Sequence, residues 1–340
     1  MKTLCPPAPR MNQGRSSDPL EGCSKYVEDV FKRSGKRKSD PEGEGPSRKT
    51  RRRTDLKDTK KETRVSVDAL RAQFQAKYKE DKMLGKGGCG SVFAGCRQTD
   101  NLPVAIKHIP KEKVFCRQVD QNGRRLSVEV AVMLKLKTGG SGSVGTSAPI
   151  SLLDWYDLGH ELILVLERPV PCIDLLTYIE ANGGSLQEEQ AKIILKQLVE
   201  AAVELQHNCI FHRDIKIENI LIETGSDVPR VRLIDFGLSC FFKKGSLYRV
   251  FYGTSAHVPP EWYSRYAYRA GPTTVWQLGV VLFETLHSRA PFETSMFLRK
   301  KLKISSNLSK NCQSFLNMCL TRVPERRPTL EELQHHPWLR

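Results

Sequence analysis

The spacing of apolar residues divides the chain into three stretches. Before residue 65, large apolar residues are sparse. From Val65 to Tyr78 they recur at helical spacing (Val67, Leu70, Phe74, Tyr78), which predicts a short helix. Beyond Tyr78 come brief apolar runs beside Gly-rich or Asn-Leu-Pro breaks: Ser91-Val92-Phe93-Ala94, Val104-Ala105-Ile106, Leu152 to Tyr156 and Leu162 to Leu166. These predict strands of an antiparallel sheet, with one helix between them from Leu126 to Leu136. After Pro171 the spacing turns helical. Leu186 to Leu205 sets Ile193, Ile194, Leu198, Val203 and Leu205 along one side of a long helix. Val275 to Leu286 is apolar almost throughout, as a buried helix is. Strands followed by helices predict an α+β fold in two lobes. The sequence has no internal repeat.

Composition changes this picture mainly at the N-terminus. Residues 1–64 carry 18 Lys and Arg against 10 Asp and Glu, so this short segment holds half of the net +16. It is rich in Pro, Gly and Ser and too poor in apolar surface to offset its ordering entropy, which predicts a disordered basic tail. Two clusters stand out, Lys32-Arg33 with Lys36-Arg37-Lys38, and Arg48-Lys49-Thr50-Arg51-Arg52-Arg53. A nuclear import signal, a nucleic-acid patch and a merely solvated tail all fit them. No aromatic residues interleave with the basic ones, which counts against stacking on single strands. No run approaches the roughly 18 apolar residues of a membrane helix, and no apolar stretch follows Lys2 as a secretory signal requires. The 10 cysteines include no Cys-x-x-Cys pair, which argues against a zinc module and fits reduced thiols in the cytoplasm or nucleus.

Candidate chemistry begins at Leu84-Gly85-Lys86-Gly87-Gly88-Cys89-Gly90-Ser91-Val92, a G-x-G-x-x-G-x-V pattern between two predicted strands. Glycines Gly85, Gly87 and Gly90 would let backbone N–H groups approach phosphate oxygens, although a plain hairpin turn explains the stretch as well. A dinucleotide site is disfavoured, because a strand and not a helix follows Gly90. Lys107 closes the run Val104-Ala105-Ile106 at a predicted strand end. It could hold phosphates if a carboxylate fixed its direction, and Glu129 on the next helix is the candidate. A surface Lys and a surface Glu are the ordinary alternative. The loop Phe211-His212-Arg213-Asp214-Ile215-Lys216-Ile217-Glu218-Asn219 narrows the choice. Asp214 could accept a hydroxyl proton and Asn219 could ligate Mg²⁺, with Asp235 of Asp235-Phe236-Gly237 as a second ligand. Pro259-Pro260-Glu261 closes the segment that follows. These five motifs stand in the order and spacing of the protein-kinase signature.

The chain resembles the eukaryotic protein kinases over about residues 78–340, and most closely the Pim serine/threonine kinases. The segments that carry this are Asp100 to His108, Leu152-Leu153-Asp154-Trp155, Leu166-Glu167-Arg168-Pro169, His212 to Lys216, Leu233 to Gly237 and His336-Pro337-Trp338-Leu339. The resemblance implies a bilobal kinase fold with a tail at 1–64, a lead-in helix at 65–77 and a kinase domain at 78–340. Within that domain lie an N-lobe at 78–166, a hinge at 167–171 and a C-lobe at 172–340. It implies ATP and Mg²⁺ as cofactors and protein Ser/Thr acceptors as substrates, basic motifs among them. No membrane or nucleic-acid partner is implied, and the chain is expected to act as a monomer. Leu84, Val92 and Ala105 would frame the adenine, Asp174 would meet the ribose, and Lys216 would face the transferred phosphate. Thr254 would position the catalytic loop. Glu261 and Arg327 would form a buried structural ion pair. Pro169 has no N–H, so the Glu167 carbonyl would do most of the polar reading of adenine.

Departures from the family pattern are informative. Thr274 stands where most kinases have an aspartate, a feature shared with the Pim kinases. Ile217 replaces an acid of the catalytic loop, and Arg289 an acid of the peptide groove, which predicts a weaker taste for basic substrates. Cys89, at the Gly-rich tip, reads as a small apolar filler. Val250 and Tyr252 replace acids of the activation segment. No carboxylate there can neutralise Arg213, while Lys243, Lys244 and Arg249 add positive charge. This predicts a loosened segment that is ordered by phosphate on Ser246, Tyr248 or Tyr252, or by an acid from elsewhere in the fold. A pseudokinase scaffold and a nucleic-acid-binding protein with a kinase-like body are the rival readings.

Overall fold

A computed structural model describes residues 66–114, 117–119, 125–139, 147–287 and 291–340. The basic tail and Arg289 lie outside the described residues. Helix α1 (Val67–Lys77) starts at Ser66, whose hydroxyl accepts from the Ala69 N–H and so satisfies one of the free donors of the first turn. Strands β1 (Tyr78–Gly87), β2 (Gly90–Arg97) and β3 (Pro103–Pro110) follow. Then come the short hairpin β4 (Arg117–Val119) and β5 (Arg125–Ser127), helix α2 (Val128–Gly139), and strands β6 (Leu152–Asp157) and β7 (Glu161–Glu167). Five of these strands make one antiparallel sheet in the order β1-β2-β3-β7-β6.

Period-two alternation assigns the two faces of that sheet. Val104 and Ile106 of β3, with Ile163 and Val165 of β7, pack under Phe74 and Tyr78 at the α1 end. Ile109, Leu162 and Leu164 face the other way, into the core shared with Val130 and Met133 of α2. Lys107 has the same parity as Ile109, so its side chain goes to the α2 side. It sits in mid-strand and is only 6% exposed. The expectation of a strand end is therefore corrected. β3 runs on through His108-Ile109-Pro110, because pairing with β7 extends past the apolar run. Strand β1 left little trace in the sequence. Most of its residues are exposed, and it is a strand because β2 pairs with it.

The second lobe begins with β8 (Cys172–Asp174), α3 (Leu175–Ala181) and α4 (Glu188–His207), whose Ile194, Leu195, Leu198, Ala202 and Leu205 are buried. Next are β9 (Ile210–Phe211), β10 (Ile220–Glu223), β11 (Arg230–Leu233), β12 (Cys240–Phe241), α5 (Pro260–Arg265) and α6 (Ala270–Leu286). Helix α6 is buried along most of its length and forms the axis of the lobe. The close is α7 (Thr294–Leu298), α8 (Lys310–Cys319) and α9 (Leu330–Gln334), the last started by a capping box between Thr329 and Glu332. Strand β10 lies between β11 and β8, so the residues just before it and just after β11 emerge side by side. That pairing is what gathers the site.

Candidate active site

On the sheet side, the Lys107 ammonium lies 2.7 Å from Glu129 Oε1 and 2.8 Å from Asp235 Oδ1. Glu129 is as buried as the lysine, whereas the Asp235 side chain keeps 38% of its surface. Burial opposes the lysine's charge, but the two carboxylates more than offset it and raise Lys107. Lys107 in turn holds Asp235 down to about 2, so this carboxylate stays ionised at neutral pH. Burial pushes Glu129 up, against the pull of Lys107.

On the helical side, Asp214 is fixed through both oxygens. Thr254 donates to Oδ1 from its N–H at 2.9 Å and from its hydroxyl at 2.7 Å. Asn219 Nδ2 donates to the Asp214 carbonyl at 2.9 Å and to Oδ2 at 3.3 Å, and Lys216 Nζ stands 3.6 Å from Oδ2. The donor side of Asn219 is thus turned to Asp214, and its Oδ1 is left as a ligand oxygen. Two contacts join this loop to the Asp235 loop. Ile234 N–H donates to Asn219 O, and His212 Nε2 lies 3.1 Å from Ile234 O. Since His212 Nδ1 accepts from the Asp214 N–H, Nε2 carries the proton, and burial keeps the ring neutral. Phe236 packs on that ring at 4.9 Å.

The remaining candidates lie on β1, β2, β3, β7 and β8. Leu84 is exposed on β1. Val92 faces Lys107 across the β2–β3 pair, and Ala105 lies between Ala94 and Leu166. A Cβ at Gly85 or Gly87 would meet nothing within 4 Å, whereas one at Gly90 would strike His108 O at 2.0 Å. Gly85 and Gly87 thus leave space open, and Gly90 lets β2 close on β3. The Cys89 sulfur would stand 3.2 Å from a Cβ at Gly237, and burial pushes its thiol up to about 11, so it acts as a neutral filler. At the hinge, Glu167 Oε2 is held by Arg232 Nη2 at 2.5 Å and by the Ser151 N–H at 3.2 Å. Asp174 caps α3 through Thr177, and β8 carries it alongside Leu221. Ile217 is buried in the core, so that position presents no side chain to a groove.

Three residues went unnoticed in the sequence. Buried Arg232 ties Glu167 to Glu223. Gln277 Nε2 donates to Arg213 O at 2.5 Å, while the Thr274 hydroxyl turns back to Ala270 O of its own helix. Tyr268 donates to Val250 O and accepts from the Tyr252 N–H. Arg232 and Gln277 are polar residues inside otherwise apolar runs, and that was the available signal. Gln277 holds the carbonyl of a residue in the left-handed region, Arg213 at φ 74°.

The protein kinase domain family matches residues 78–339. The chain is 37% identical over 270 residues to the serine/threonine-protein kinase pim-2 of Danio rerio, covering 78% of this chain and 86% of that one. To the serine/threonine-protein kinase prk-2 of Caenorhabditis elegans it is 33% identical over 276 residues, 79% of this chain and 59% of the relative. The chain belongs to the serine/threonine protein kinases, close to the Pim enzymes. A PAS domain-containing serine/threonine-protein kinase of Mus musculus shares 31% over 274 residues, which is only 19% of its length. ATP-dependent phosphoryl transfer to protein is the reaction of this family. Among the described residues of this Pim-like kinase no helix is long and apolar enough to cross a membrane.

Proposed function

We propose that this Pim-like chain is an active kinase whose cleft works through the residues named above. The observation that carries the reading is Lys107, bridged at once to Glu129 of α2 and Asp235 of the following lobe. A scaffold that had lost catalysis would have no need to keep this three-way contact. Lys107 would hold phosphate oxygens of ATP, with Glu129 fixing its direction. Leu84, Val92 and Ala105 would enclose the base, Glu167 would read it and Asp174 would meet the ribose. Asn219 Oδ1 and Asp235 would hold Mg²⁺, which supplies charge neutralisation on the phosphates. Three carboxylates (Glu129, Asp214, Asp235) face two ammonium groups (Lys107, Lys216), a balance that favours a bound cation. No group of three or more His, Cys, Asp or Glu fit for a metal occurs among the described residues. Mg²⁺ at phosphate-transfer sites commonly takes one or two protein carboxylates together with substrate phosphates.

Asp214 would orient the acceptor hydroxyl and take its proton at Oδ2, since Oδ1 is committed to Thr254. Lys216 would steady the charge that develops on the transferred group. We read the enzyme as a monomer, because the cleft as read here calls on no residue of a second copy. Residence in cytoplasm or nucleus is supported by the free thiols of Cys89, Cys96, Cys172, Cys209, Cys240, Cys312 and Cys319. For substrates, a reduced demand for upstream arginines is supported by the burial of Ile217 and by the engagement of Asp174 at the α3 cap. The test is transfer of the γ-phosphate of ATP to a Ser/Thr peptide library. Wild type should label peptides and Asp214→Asn should not. Equal labelling by both would refute the assignment.

A further inference from the structure

Arg213 precedes Asp214 and is half-buried. Its Nε is buried without a hydrogen-bond partner, and Nη1 reaches only Leu238 O at 3.4 Å. No carboxylate lies within ion-pair distance of it among the described residues. The cavity of about 210 Å³ beside it is lined by one acid, Glu129, and that carboxylate is held by Lys107. What faces the guanidinium is aromatic. The Tyr248 and Tyr252 ring centroids lie 4.8 and 4.9 Å from its central carbon, and Phe211 lies 5.9 Å away. A cation so placed is attracted by the negative faces of the rings.

The rings are themselves fixed. Tyr248 and Tyr268 exchange backbone hydrogen bonds at 2.9 and 3.0 Å, and their rings lie 5.5 Å apart. Tyr268 also holds Val250 and Tyr252, as described above. Gly253 follows at φ 134°, where a Cβ would meet Arg213 O at 2.7 Å. Next comes Thr254, which donates twice to Asp214. One short run therefore leads from the rings on Arg213 to the groups that fix the catalytic carboxylate.

The geometry points to Tyr248 and Tyr252 as positioning residues: their rings hold Arg213 and the activation segment in place of an acid or a phosphate. This replaces the expectation of a loosened segment awaiting phosphate, and it rests on the kinase reading above. A phosphate on Tyr248 would have to displace a hydroxyl that lies within the aromatic cluster and accepts from the Cys240 thiol.

The test compares variants at equal folded fraction. Tyr252→Leu should lower kcat at least tenfold with KM for ATP within twofold, and Tyr252→Phe should keep the rate. Tyr252→Glu, which offers a carboxylate to the same guanidinium, should recover most of what leucine loses. Tyr248→Leu should behave like Tyr252→Leu, and Tyr252 serves alone if the Tyr248 variant does not fold. Phosphatase-treated wild type and Ser246→Ala should stay within twofold of untreated enzyme. Amide hydrogen exchange at Tyr252 and Thr254, measured without ATP, should quicken in the leucine variants only. Wild-type kcat and exchange in Tyr252→Leu, no recovery with glutamate, or a marked loss on phosphatase treatment would each overturn the proposal. The exchange measurement needs no turnover, so it tests the rings even if the kinase reading fails.

Discussion

Among the described residues, the buried cations Arg327 and Lys107 have different surroundings. Arg327 is closed off. Its Nη2 lies 2.6 Å from Glu261 Oε2, both side chains are at or below 2% exposure, Pro272 O takes another N–H, and the Trp276 ring lies 5.0 Å away. One cation meets one carboxylate, and every contact belongs to the helical lobe. Lys107 is shared between two carboxylates from different parts of the fold, and one of them, Asp235, remains partly open. A closed, charge-balanced pair pins structure, while an open pair with an excess carboxylate leaves room for a cationic ligand and phosphate. Burial alone does not separate these roles; charge balance and access do.

Lys107→Met should have the largest effect. Phosphoryl transfer should fall by about 10²- to 10³-fold, as when a charge-stabilising donor is lost. Folding stability should drop as well, by about 3–5 kcal/mol, because Glu129 is left buried beside Asp235. Arg327→Met should cost a similar ~3–5 kcal/mol in denaturant unfolding, yet leave activity per folded molecule unchanged. Pairing it with Glu261→Leu should recover part of that stability, since an apolar pair removes the stranded carboxylate. Gln277→Leu leaves the Arg213 carbonyl without its buried donor. It should cost about 1–3 kcal/mol and lower kcat more than it alters KM for ATP.

The smallest effect is a pH dependence in the sheet. His108 lies between Glu80 and Glu161, with Nδ1 at 2.9 Å from Glu161 Oε2 and Nε2 against Glu80. Burial opposes its charge, but the carboxylates outweigh burial and raise it above 6.5. A raised folded-state value means that the stabilisation is complete below 6.5 and is lost as pH rises through that higher value. The melting temperature of wild type should fall across this window, and that of His108→Gln should not.

The cleft was largely legible in the sequence because its residues occur in short runs with fixed chemistry: Lys107 in an apolar strand, Asp214 and Asn219 in one loop, Asp235 before Phe236-Gly237. The long helices were legible from periodicity, though α6 begins at Ala270, before the apolar run does. Strands β8, β9 and β12 have only two or three residues each and carry no pattern of their own. They exist because distant segments pair. The contacts of Gln277, Arg232 and Tyr268 were hidden for the same reason. Each joins residues far apart in the chain, as Gln277 does with Arg213, and no local spacing reveals such a partner.

On this reading Asp235 is the open member of a working pair with Lys107. The most direct measurement is Mg²⁺-dependent phosphoryl transfer to a Ser/Thr peptide by wild type and Asp235→Asn, each checked for melting temperature. Glu129 still neutralises Lys107 in the variant, so the melting temperature should stay within a few degrees. Turnover should fall by at least about 100-fold at every Mg²⁺ concentration. A folded Asp235→Asn that turns over at the wild-type rate with the same Mg²⁺ dependence would contradict the account.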